Sequence, residues 1–126
     1  MINYTVKTKK NPINGDIKYY PQIGKQKFVN MEDIAKDIAG MCTVTLPDIV
    51  SVLSALQEQI EETMKQGRSV RFGYLGSFRP TITGEACETK EEVTAQKIKQ
   101  VRVRFTPGSY LRKCMNMKEL KFIRED

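Results

Sequence analysis

Near the end of the chain, Arg102 and Arg104 alternate with Val101, Val103 and Phe105. In an extended strand that spacing sends the guanidiniums to one side and the apolar side chains to the other. Guanidiniums are permanently charged planar forks, suited to gripping phosphate oxygens rather than breaking bonds. Arg79, Lys97 and Lys99 lie in the neighbouring segments, with Arg112 and Lys113 at the flank. Bond-making chemistry has few candidates. The 126 residues include no His, so acid–base work would fall to carboxylates, Lys, Tyr or Cys. Most of the acids sit on outward faces of predicted helices. Cys42, Cys87 and Cys114 are odd in number, widely spaced and without a Cys-x-x-Cys pair, which argues against a zinc site and a disulfide framework. Cys42, at a predicted helix–helix turn, reads as a small packing residue. Gly73 and Gly76 are not followed by Lys-Ser/Thr and read as a turn, not a phosphate-cradling loop. The expectation is a non-enzyme with no metal, no cofactor and no small-molecule substrate.

Charge is segregated along the chain. The total is +6, yet residues 1–29 carry +5, 30–66 carry −5, 67–84 carry +3, 85–92 carry −3 and 93–126 carry +6. Acids gather on predicted helices and bases on predicted strands and termini, the footprint of a protein with a cationic face for a polyanion. The start, Met1–Lys7, lacks the apolar run of a signal peptide. No stretch approaches the roughly 20 apolar residues of a membrane span. A cytoplasmic, reducing setting with no membrane partner is therefore expected.

Particular elements must position these side chains. Residues 3–7 and 17–23 read as two strands around Asn14-Gly15, with Pro21 suited to an edge. Residues 1–27 thus form an N-terminal β-hairpin extension. Asn30 reads as a helix N-cap with Asp33 three positions on, and Met31, Ile34, Ala35 and Ile38 make one helical face. Thr45 caps a second helix, with Pro47 in its first turn, a stripe of Ile49, Leu53, Leu56, Ile60 and Met64, and Gly67 as its stop. The period then changes to two. Residues 69–72 and 77–82 read as strands around Gly73–Gly76, 101–105 as a third, and roughly 109–116 as a short helix. Residues 117–126 form a C-terminal tail, with 117–124 a short strand or a segment packing back.

This order, with Gly67-Arg68-Ser69-Val70-Arg71-Phe72-Gly73-Tyr74-Leu75-Gly76-Ser77-Phe78 and Val103-Arg104-Phe105-Thr106-Pro107-Gly108-Ser109-Tyr110-Leu111, resembles the HU/IHF histone-like DNA-binding proteins over roughly residues 29–116. The resemblance implies an α+β fold for 28–116: a helical hairpin, a three-stranded antiparallel sheet with an arm, and a short C-terminal helix. It implies an intertwined homodimer with Leu75, Phe78 and Phe105 in a core shared between subunits. It implies a nucleoid-associated bacterial protein that binds double-stranded DNA on a saddle without sequence preference. One departure stands out. In the family the segment between strands two and three is a long basic arm with an intercalating proline. Here residues 83–96 hold four glutamates, one lysine and no proline. Proline-driven kinking is not expected, and that arm would repel phosphates. The saddle would instead bind through Arg79, Lys97, Lys99, Arg102 and Arg104, with Arg112 and Lys113 beside them. The acidic arm and the added hairpin also support an alternative, a histone-like fold serving as a protein-interaction or assembly module.

Overall fold

The computed structural model describes residues 1–125. Along the chain run β1 (Ile2–Lys10), β2 (Ile17–Ile23), α1 (Met31–Met41), α2 (Leu46–Lys65), β3 (Val70–Phe72), β4 (Gly76–Gly84), β5 (Ile98–Pro107), α3 (Ser109–Cys114) and β6 (Phe122–Arg124). Two single 3-10 turns, Lys90–Glu92 and Ala95–Lys97, lie between β4 and β5. The architecture is mixed α+β with two three-stranded sheets, ordered β2-β1-β6 and β3-β4-β5. The chain divides into two compact units, one made of Met1–Asn30 with the segment from Cys114 onward, the other of Met31–Lys113.

In the first unit β1 and β2 pair antiparallel from Tyr4↔Ile23 to Lys10↔Ile17, a longer ladder than residues 3–7 predict. The connection contains Asn14-Gly15, as the sequence implies. It spans residues 11–16, closed by Asn11 N donating to Asp16 O (2.8 Å) and Gly15 N donating to Asn11 O (2.9 Å). The side-chain oxygens of Asn11 and Asn14 accept from Ile13 N and Asp16 N, so both asparagines build local turns that set the width of the connection. Gly15 supplies the positive φ of 75°. Pro21 sits on β2, the edge strand, where its missing N–H breaks no ladder. The tail returns as β6, pairing parallel to β1 at Ile2↔Phe122, Asn3↔Ile123 and Tyr4↔Arg124.

In the second unit α1 and α2 form the helical hairpin. Thr45 Oγ1 accepts from Asp48 N (3.4 Å), and Gly67 follows the end of α2 with φ of 74°. Ala35 of α1 and Ile49 of α2 are the only buried hydrophobic side chains among the described residues. Leu56 and Ile34, on the same apolar stripes, remain exposed. The sheet is antiparallel throughout, with Val70↔Phe78 and Arg71↔Ser77 on one side of β4 and Phe78↔Phe105 and Arg79↔Arg104 on the other. Gly76 has φ of 147°, and a Cβ there would meet Thr106 O at 2.5 Å and the Phe105 ring at 2.8 Å, so the close turn after β3 requires glycine. Tyr74 stacks on Tyr110 at 4.1 Å, tying that turn to α3. No described helix is long and apolar enough to cross a membrane.

Candidate nucleic-acid interface

Strand alternation and the ladder register together sort the β3-β4-β5 sheet into two unlike faces. One face carries Val70, Phe72, Phe78, Pro80, Ile82, Val101, Val103 and Phe105. Phe78 is the hub, with the Phe72 ring 6.0 Å away edge-on and the Phe105 ring 5.0 Å away and tilted. Phe78 is half-buried, whereas Phe105 (43% exposed), Val103 (58%), Ile82 (62%) and Leu75 (55%) stay open to solvent in the single chain. These apolar residues bury little surface on their own.

The opposite face is cationic. Arg79 and Arg104 are direct cross-strand partners, and Arg102 lies opposite Thr81 one step further along. Arg71 joins them, because it pairs with Ser77 and Ser77 pairs with Thr106 on this same side. Four exposed guanidiniums therefore share one sheet face, interleaved with the small polar side chains Ser77, Thr81, Thr83 and Thr106. Arg102 Nε donates to Gln100 Oε1 at 3.0 Å, holding that fork along the strand. Like charges directly opposite one another in a sheet cost up to about 1 kcal/mol. The Arg79–Arg104 pair is thus a local liability that a bound anion would relieve.

The remaining expected contacts fall elsewhere. Lys97 lies in the 3-10 turn before β5, with its ammonium 3.6 Å from the Glu85 carboxylate. An exposed pair of this kind adds little stability, yet it offsets the lysine's charge. Lys99 lies in a register break: Thr83 pairs with Gln100 and Gly84 with Ile98, which leaves Lys99 as the extra residue of a bulge. Its parity is that of Val101 and Val103, not of the arginines. Arg112 and Lys113 occupy the last turn of α3, where a cation also suits the helix dipole. The structure thus gathers Arg79, Arg102 and Arg104 on one face and does not bring Lys97, Lys99, Arg112 or Lys113 into their ladder. Arg71 was missed. Its alternation with Val70 and Phe72 was legible, but matching that alternation to β5 requires the register through β4.

Between β4 and β5 the ladder ends at Gly84↔Ile98, capped by Glu85 N donating to Lys97 O at 2.9 Å. The segment that follows holds exposed Glu88, Glu91 and Glu92. No group of three or more His, Cys, Asp or Glu among the described residues has the arrangement to hold a metal ion. No disulfide joins Cys42, Cys87 or Cys114, and Cys42 Sγ donates to Ile38 O at 3.2 Å just past the end of α1.

Comparison with known proteins bears on this geometry. Residues 1–124 match the family described as "HU-HIG: HU domain fused to wHTH, Ig, or Glycine-rich motif". Among solved structures, the chain is similar to a candidate bacterial DNA-binding protein from Bacteroides vulgatus, with a TM-score of 0.64 and 18% sequence identity over 97% of this chain. The match covers 47% of that protein, so this chain spans about half its length. No curated protein sequence matches the chain.

Proposed function

The chain belongs to the HU-HIG family, and from that premise we propose that it binds double-stranded DNA without sequence preference, as a homodimer, through the arginine face of its β3-β4-β5 sheet. The observation that carries this reading is the set Arg71, Arg79, Arg102 and Arg104 on one face, with two of the four directly opposite each other. The likeness in fold to a candidate DNA-binding protein supports it. Phosphates would lie along the strip and release counterions, so the logarithm of the binding constant falls linearly with the logarithm of salt, with a slope of about 0.9 per phosphate neutralised. The four arginines lie on strands β3, β4 and β5 rather than on a helix, so the contacts position a duplex rather than read it. A DNA-packaging, nucleoid-associated, non-catalytic role in the cytoplasm follows from this mode of binding.

Dimerisation is supported by surface area. A compact folded chain of 14.4 kDa exposes about 6,800 Å², or roughly 8,000 Å² if its two units are counted separately. This chain exposes 11301 Å². The excess is more than the roughly 1,000–2,500 Å² per chain that obligate dimers commonly bury. The apolar sheet face around Phe78 and Phe105, with Leu75 in the adjoining turn, is the surface that a second copy would cover. Residues 28–116 are the dimerising, DNA-binding domain in this reading.

A second reading is favoured by a specific observation. Glutamates, not lysines, follow the end of the β4–β5 ladder, so the fold would serve as a protein-interaction or assembly module with little DNA binding. Fluorescence anisotropy with two unrelated short duplexes at low and moderate salt separates the two. Similar affinity for both sequences and a steep salt dependence are expected. Absence of binding at micromolar protein and low salt would overturn the DNA reading. Light scattering is expected to give twice 14.4 kDa, and a monomeric mass would remove the dimer.

A further inference from the structure

The β1–β2 ladder is also two-faced. Its register places Ile2, Tyr4, Val6, Tyr19, Pro21 and Ile23 on one side, and Lys7, Lys9, Lys18 and Tyr20 on the other. Lys9 and Lys18 are direct cross-strand partners, a second like-charge pair set across a ladder. Lys7, Lys9 and Lys18 are exposed, and no ion pair engages them among the described residues. Towards the turn a cleft of about 320 Å³ is lined by Lys9, Lys10, Lys18 and Tyr20, with Asp16 its only carboxylate. Among the described residues β6 pairs with β1 only at Ile2–Tyr4, so from Thr5 to the turn β1 and β2 pair as a two-stranded ribbon. The major groove of duplex DNA admits a two-stranded ribbon of this kind. Along a strand, alternate residues recur at about 6.7 Å, so Lys7 and Lys9 reach successive points of one phosphate backbone.

We propose that the distal half of the β1–β2 ribbon is a second DNA-binding element, seated on duplex DNA with Lys7, Lys9 and Lys18 against the phosphates and Tyr20 beside them. The proposal rests on the DNA-binding reading given above, but it assigns binding to a different sheet in a different unit. It also gives the chain a cationic ribbon tip, which the glutamate-bearing end of β4–β5 does not supply.

The test compares the full chain with K7Q/K9Q/K18Q and with R71Q/R79Q/R102Q/R104Q for binding to a short mixed-sequence duplex across a salt series. The lysine variant is expected to lose about tenfold in affinity and to lower the salt slope by about 3 for each chain engaged. Unchanged affinity and slope in the lysine variant, with binding lost in the arginine variant, overturns the ribbon proposal and leaves the sheet reading standing. The opposite pattern overturns the sheet reading and sustains the ribbon. If the lysine variant does not fold, acetylation footprinting of the unmodified chain decides. Protection of Lys7, Lys9 and Lys18 by duplex DNA supports the proposal, and full reactivity overturns it. Preference for single-stranded DNA of equal length in competition would also overturn it.

Discussion

The β1–β2 and β4–β5 ribbons are built by the same rules and charged in opposite directions. Each is an antiparallel pair with an apolar face and a cationic face. On β1–β2 the lysines crowd toward the connection at residues 11–16, while its base near Ile2 and Ile23 is apolar. On β4–β5 the arginines sit in the body of the ladder, and the connecting segment beyond Gly84 turns acidic with Glu85, Glu88, Glu91 and Glu92. The difference teaches that a basic ribbon is not one device. Guanidiniums in the middle of a sheet form a fixed platform whose spacing is set by the ladder. Ammoniums at a free ribbon tip form a reaching contact, more sensitive to salt and less dependent on geometry.

Neutralising the platform is expected to have the largest effect. R79Q/R102Q/R104Q should weaken duplex binding by about a hundredfold at moderate salt and flatten its salt dependence, measured by anisotropy. Retention of wild-type affinity would reverse the assignment of roles to the two ribbons. Truncating the apolar side of the same sheet comes next. Phe78→Ala should destabilise the fold by about 3–5 kcal/mol in chemical denaturation and shift the mass distribution toward monomer. A small, concentration-independent loss would mean that Phe78 packs only within its own chain. Gly76→Ala is expected to cost about 1–3 kcal/mol, because the left-handed backbone and the approach of Phe105 both oppose a side chain. Removing the acids of the other connection, E85Q/E88Q/E91Q/E92Q, should tighten DNA binding about threefold to tenfold and raise the salt slope. No change would show that this segment stays clear of bound DNA. Lys97→Gln is expected to have the smallest effect, within about twofold, because Glu85 already offsets its charge.

Much of the fold was legible in local pattern. Thr45, Pro47 and Gly67 bound α2 because capping, first-turn and left-handed positions each accept few residue types, and the helix runs Leu46–Lys65 as they imply. The alternation of Val101, Arg102, Val103, Arg104 and Phe105 defines two faces of β5 without reference to any other element. The candidate site was only partly legible. Lys99 reads as one more base on that strand until the bulge at Thr83 and Gly84 removes it from the ladder. Arg71 reads as one arginine on a three-residue strand until β4 carries its parity across to β5. The hairpin turn at Asn14-Gly15 is legible in the sequence, whereas its width is set by two asparagine side chains that bond the backbone locally.

By itself, then, the order of residues indicated the helical hairpin and most of the strands, which side of each strand is greasy, and how charge is divided along the chain. Those properties arise from neighbours one to four positions apart. Tertiary structure alone decided that Arg71 stands with Arg79 and Arg104, that Lys99 does not, and that the last strand lies parallel beside the first. Register and pairing depend on residues far apart in sequence, and a slip of one position would exchange the two faces of a strand.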